Sequence, residues 1–193
     1  FLLGILSAIN RDSIIDRIIS MILLVGLSTP TFWIGLLFIL FFAVNLGWFP
    51  AGGYSGLRSL IMPAMTMAIP VTAIISRLVR TSLLEVLGEN YIKTAMAKGV
   101  PPFQIITRHA LRNALIPVVT VVGLLSGEML GGSVVVETVF GWPGMGQTIV
   151  TALYARDYMM VQGAILLLAT AFILINIFVD ILYTYLDPRI NYV

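Results

Sequence analysis

The sequence has 193 residues, of which 59% are hydrophobic and only 10% charged, with a mean hydropathy of +1.02 and a formal net charge of +2. A soluble domain carries about a quarter charged residues, so this composition excludes that class and points to a membrane protein. The small charge and the lack of a Lys/Arg run argue against a nucleic-acid partner; the absence of cysteine excludes disulfides, cysteine-ligated zinc, iron–sulfur clusters and thiol catalysis.

A helix rises about 1.5 Å per residue and the hydrocarbon core is about 30 Å thick, so roughly 20 apolar residues make one crossing. The chain opens on FLLGILSAI, which reaches the polar flank NRDSIIDR after nine residues. It lacks the basic start and small-residue end of a signal peptide, and 1–9 reads as the end of a membrane helix whose earlier part precedes this sequence. Full crossings are expected over 18–46, with Pro30 inside as a kink, over 59–78 with Pro63 and Pro70, over 114–136 and over 159–186. With the partial helix these make five membrane segments in one all-α domain.

Orientation follows from Lys and Arg. One set of loops and helix ends carries Arg11, Arg17, Arg77, Arg80, Lys93, Lys98, Arg108, Arg112 and Arg189; the alternate set carries only Arg58 and Arg156. The first set, with the C-terminal DPRINYV, is therefore assigned to the cytoplasm, and GWFPAGGYSGLR and ETVFGWPGMGQTIVTALYARDY to the outside. Trp48 and Trp142 fall at the outer boundary, where amphipathic rings are favoured.

The stretch 89–113, ENYIKTAMAKGVPPFQIITRHALRN, is polar between apolar runs. Tyr91 to Ala97 suits a short helix, Gly99 permits a turn, Pro101-Pro102 stops the helix from running on, and Phe103 to Asn113 suits a second helix entering the membrane at Ala114. Two readings are open: a basic connector that touches anionic headgroups, or a docking knob whose small residues allow close approach by a partner.

In the next crossing Gly123, Gly127 and Gly131 recur every four residues and share one side of the helix, giving overlapping Gly-x-x-x-Gly pairs for packing within the chain or along a pathway. Glu128, costly inside a membrane, is a candidate pathway residue facing a cavity or partner. Glu137, near the outer boundary, is expected to be solvated, and Asn176 and Asp180 to hold helices together. The stretch 149–154 is apolar but too short to cross, and suits a segment at the interface or a plain connector.

The cytoplasmic stretch resembles the loop of bacterial ABC importer permeases, whose general form is Glu-Ala-Ala, three residues, Gly, nine residues, then Ile, any residue, Leu, Pro. With the glycine on Gly99, only Ala95, Gly99 and Leu111 match; Lys93, Thr94, His109 and Arg112 depart. The oligopeptide/dipeptide/nickel branch departs in the same way and is similar in YIKTAMAKG and RHALRNALIPVVT. The similarity extends to GLSTPTFWIGLL, LGWFPAGGYSGLRSLIMPA, VVVETVFGWPGMG, ARDYMMVQG and VDILYTYLDPRI, nearly the whole chain.

The resemblance implies the later, five-helix part of a six-helix permease subunit in the inner membrane of a bacterium or archaeon. It would pair with a second permease and two cytoplasmic ATP-binding subunits, and receive substrate from an extracytoplasmic binding protein. The docking residues implied are Lys93, Thr94, Ala95, Ala97, Lys98, Gly99 and Phe103. No Gly-x-x-x-x-Gly-Lys-Ser/Thr loop is present, since Ile92 precedes Lys93-Thr94, so ATP and magnesium would be bound by the partner subunits and this subunit would hold neither cofactor nor metal. Peptide is the first substrate expectation and nickel or a nickel chelate the second, SGEMLGG resembling the nickel type while no intramembrane His is offered. A membrane hydrolase would need a nucleophile–base pair or a ligand cluster around the single His109, and none is legible. A secondary transporter or channel would differ in working without an ATPase.

Overall fold

The computed structural model describes residues 1–186; of residues 128, 130, 132, 133, 180 and 182–186 only the helical backbone is described. Glu128 and Asp180 are thus placed on helices without their side chains, and Arg189 with the tail 187–193 lies outside the described residues. Among the described residues every regular element is helical.

Helix α1 is Leu2–Ile9, α2 Ile14–Ser28 and α3 Thr31–Phe38, which continues as a π-helix over Ile39–Asn45. A short 3-10 turn, Leu57–Leu60, leads into α4, Ile61–Leu87. Then come α5, Asn90–Ala97, and a segment made of α6, Pro102–Gln104, a second π-helix, Ile105–Ala110, and α7, Leu111–Ala114. The last three are α8, Ile116–Phe140, α9, Met145–Tyr154, and α10, Tyr158–Leu186. Leu57–Leu87 and Tyr158–Val179 are each long and apolar enough to cross a membrane, and two bent helix pairs would make two further broken spans.

The stretch 18–46, expected as one kinked crossing, is two helices, and the chain bends by 102° at the break between them. Proline has no N–H and disfavours helical geometry in the residue before it. Pro30 adopts φ −58° and ψ 137°, and its carbonyl accepts the Trp33 and Ile34 N–H groups at 3.0 and 3.2 Å, so it begins α3 instead of kinking α2. Pro70 lies inside α4, which runs past the expected end at 78 to Leu87. Val79 and Leu83 on this extension are fully buried, and Arg77 and Arg80 between apolar residues do not interrupt a helix.

The chain forms two compact units, one from 1–26 and 72–123, the other from 27–71 and 124–179. In the first, Ala8, Leu83, Ile92, Ile105, Ala110 and Ala114 make the buried core. Gly4 brings α1 against α4 so closely that a Cβ there would sit 2.3 Å from the Ser76 carbonyl oxygen. Beside this contact lies a buried ionic cluster. The Asp16 carboxylate accepts two bonds from the Arg80 guanidinium, at 2.8 and 2.7 Å, one from the Asp12 N–H at 3.0 Å and one from the Ser7 hydroxyl. Such a bidentate fork is among the stronger hydrogen-bonded pairs, and here it joins α1, the turn after it, α2 and α4.

In the second unit Met62, Val136 and Phe140 form the core, with Phe38, Phe42 and Phe49 packed around it. Phe42 meets Phe38 edge-on at 5.4 Å between ring centres. Helix α10 is largely uncovered: the rest of the chain buries 6% of its apolar window, against 33% for α4.

Removing the guanidinium strands a carboxylate that is 5% exposed. Arg80→Ala is therefore expected to lower stability by about 3 kcal/mol, and Arg80→Met with Asp16→Asn to recover most of it, in denaturant unfolding of the detergent-solubilised protein.

Candidate functional site

Helix α5 has eight residues and no side-chain cap, too short to persist alone in water. It is held by Ile92, its buried residue, which is 0% exposed and packs into the core of the first unit. Lys93, Thr94, Ala97 and Lys98 are exposed, Ala95 is half-buried, and Phe103 in α6 is 76% exposed. The docking candidates other than Phe103 thus share α5 and the turn after it, and all but the half-buried Ala95 are exposed.

That turn is built by the backbone. The Gly99 N–H donates to the Met96 carbonyl at 2.9 Å and the Val100 N–H to the Ala95 carbonyl at 3.2 Å, the paired bonds of a Schellman end. Gly99 has φ +77°, a conformation that costs other residues about 1–2 kcal/mol. Pro101 is extended, and Pro102 starts the next helical segment at a position where its missing N–H costs nothing. An apolar hollow of about 380 Å³ opens beside α5, lined by Ala8, Ile9, Leu87, Met96, Pro102 and Ile106.

Two residues that the sequence did not single out join the two arms. The Tyr91 phenolic oxygen accepts a bond from Asn113 Nδ2 at 2.8 Å and donates one to the His109 carbonyl at 3.4 Å. The partners are 22 and 18 residues away, so no local pattern signals them.

The glycine row on α8 divides. Gly127 is buried against the ring of Phe172, where a Cβ would come within 2.5 Å, so the close approach it permits is made to α10 of the same chain. Gly123 is also buried, whereas Gly131 is exposed with open space before it. Asn176 donates its side-chain amide to the Phe172 carbonyl on its own helix at 2.8 Å.

A second constellation lies in the second unit. The Glu137 carboxylate accepts the Gln147 N–H at 3.0 Å, so it caps the start of α9 instead of standing in solvent. Gly144 lies against that carboxylate, where a Cβ would come within 2.5 Å of its oxygens, and Gly146 lies against Val134. The Phe140 carbonyl accepts the Gly53 N–H at 2.8 Å, and Tyr54 meets Trp142 edge-on at 5.5 Å. The motifs PAGGY and FGWPGMG are thus two halves of one cap. At the far end of α9, Arg156 takes φ +57° in a second Schellman turn, with Asp157 N–H on the Ala152 carbonyl at 2.9 Å. Among the described residues no three His, Asp or Glu side chains converge as metal ligands.

The described residues are helical and largely apolar with a polar helix–turn–helix, and the comparisons name the family. Residues 1–192 match the family described as binding-protein-dependent transport system inner membrane component. The dipeptide transport system permease protein DppB of Alkalihalophilus pseudofirmus is 43% identical over 98% of this chain and 65% of its own length. The glutathione transport system permease protein GsiC of Escherichia coli K12 is 45% identical over 98% of this chain and 62% of its own. This chain belongs to the binding-protein-dependent transport system inner membrane component family, and it spans somewhat less than two thirds of the length of these relatives. In fold it is similar to a chain of the MetNI methionine ABC transporter crystallised in inward-facing conformations, with a TM-score of 0.79 at 22% identity, covering 96% of this chain and 84% of that one.

Ile92→Ala removes the anchor of α5, and large-to-small changes at such sites cost about 2–5 kcal/mol. Trypsin is expected to cut at Lys93 and Lys98 faster in that variant, with the rest of the digestion pattern unchanged. Glu137→Ala is expected to speed hydrogen exchange at the Gln147 amide while leaving the amides of α5 as they were.

Proposed function

We propose that this chain forms half of the membrane pathway of a binding-protein-dependent ABC importer for peptides, and that α5 is where cytoplasmic ATP-binding subunits dock. The observation that carries the reading is the pairing of a buried anchor with an open face on one short helix: Ile92 is inside, while Lys93, Thr94, Ala97 and Lys98 are exposed. A helix seated in a partner's groove by such a face can transmit displacement because it is tied to its own chain on the other side. Ala95 and Gly99 add small size and a fixed exit direction.

The family membership and the names of the relatives support peptide as cargo, glutathione being itself a small peptide. The chain holds no phosphate-binding loop, so nucleotide and magnesium belong to the ATP-binding partners. A second permease subunit completes the pathway, and an extracytoplasmic binding protein delivers the substrate. The excess of Lys and Arg on one set of loops supports a cytoplasmic position for α5 and the C-terminus. The subunit then alternates between outward-open and inward-open states, and ligands and nucleotide bias the two only by differential affinity.

The test uses the assembled transporter in membranes. These 193 residues hold no cysteine, so Ala97→Cys offers a single thiol on α5. It is expected to cross-link to a cysteine placed in the groove of the ATP-binding subunit, with a yield that changes between nucleotide-free and ATP–vanadate states. No cross-link from any position across 94–99 removes the docking reading, and uptake that persists without the ATP-binding subunits removes the importer reading in favour of a secondary transporter.

A further inference from the structure

Ile92 is the one fully buried side chain of α5; Ala95 is half-buried and Met96 only lines the hollow beside it, so burial holds the helix mainly at one point. Hydrophobic contact is non-directional, so a helix held at one such point can swivel about it when its other face is pushed. Fixing the rotation needs a second, directional attachment, and hydrogen bonds are directional.

Tyr91 supplies one. It lies in the first turn of α5, next to Ile92, and its hydroxyl bridges the His109 carbonyl at the end of the π-helix and Asn113 in α7. The carbonyl has two lone pairs and can accept this bond beside its helical one. Just beyond Asn113 the backbone breaks at Leu115, where the chain bends by 50° into α8. One phenol thus ties the start of the exposed helix to the segment that feeds α8. The segment also contains a π-turn, an irregularity that recurs at functional positions and at helix bends.

We propose that Tyr91 is a positioning residue for coupling: its hydroxyl locks the rotation of α5 against 105–114, so that displacement at the docking face reaches the start of α8 instead of being absorbed as swivel. This rests on the docking reading given above. No atoms are exchanged with substrate, and Tyr91 acts through Asn113 and the His109 carbonyl.

The experiment uses the full transporter in liposomes with ATP and vanadate as the probe, so no cargo is needed. A nitroxide attached through Thr120→Cys, at an exposed position near the start of α8, reports movement there, and the Ala97→Cys cross-link reports docking. In the otherwise native complex the spectrum of the label is expected to change on trapping. Tyr91→Phe, which keeps the ring, is expected to leave the cross-link nucleotide-dependent and to cut the trapped fraction at Thr120 by about two- to tenfold, the range one hydrogen bond controls. Asn113→Leu is expected to act similarly, and the double variant to show less than the summed effect, as residues sharing a bond do.

A full spectral change in Tyr91→Phe overturns the proposal, as do strictly additive losses, or a silent label at Thr120 in a native complex that does cross-link. Loss of the assembled complex in Tyr91→Phe also overturns it, because the hydroxyl would then hold the fold together. Failure of the cross-link in the native background instead removes the docking reading on which the proposal rests.

Discussion

The burial of Ile92 is the contact on which the polar segment of this chain depends. An eight-residue helix in water cannot recover its nucleation cost from backbone bonds alone, and α5 adds no side-chain cap. Full burial of one isoleucine contributes about 1.5–3 kcal/mol, and the pocket that receives it is contributed by α1, α4 and the 102–114 segment together. Because this one side chain does most of the anchoring, Lys93, Ala97 and Lys98 stay exposed, and Thr94 donates its hydroxyl to the Asn90 carbonyl of its own helix, at 2.9 Å. The Asp16–Arg80 fork ties α2 to α4, and the Ser7 hydroxyl on the same carboxylate adds α1, so the elements that carry Ala8 and Leu83 are held together.

The second unit solves its own anchoring problem with backbone. At 50–56 and 137–147 the chain turns sharply at glycines, and the bond that joins the two stretches is backbone to backbone, Gly53 N–H to the Phe140 carbonyl, while the Glu137 carboxylate holds the Gln147 N–H within the second stretch. Gly52 packs where a Cβ would lie 2.6 Å from that same carbonyl oxygen, so the closeness of the two strands of chain requires its absence. Backbone bonds depend little on side-chain identity but strictly on the glycines that allow them. That explains why the Gly/Pro-rich motifs of the sequence lie here, while α5 is written in lysine, threonine and alanine.

Hydropathy made the long helices legible, because a run of apolar residues in lipid has little choice but to satisfy its peptide groups internally. The polar helix–turn–helix was legible from Gly99 and Pro101-Pro102, and it is seen with those residues at its corner. Pro30 was legible as a disturbance but not as a helix start, since proline can kink a helix or begin one, and the geometry of the preceding residue decides. The crossing expected over 59–78 did not tell how far its helix continues, because arginine in sequence looks like a boundary, whereas Arg80 turns to a carboxylate 64 residues earlier in the chain. Glu137 looked like a solvated end of a crossing; its role as a cap appears only when the chain reverses and brings the start of α9 to it. Gly127 could be read as a close contact but not as one with Phe172, because spacing names a face and never its partner.

Helices α5 and α10 show why the two kinds of helix need different support. Helix α10 has 29 residues, and the rest of the chain covers 6% of its apolar window, yet it needs no anchor to remain helical. In an apolar surrounding an open peptide group costs several kcal/mol, so unwinding has no solvent to turn to; lipid and a second apolar chain serve equally. Helix α5 faces water, where a broken backbone bond is replaced at little net cost. Its order must therefore come from outside its own backbone, chiefly from the burial of Ile92. A helix ordered in this way has its position set by the groups it is tied to, and a push on its free face is carried by those same few bonds.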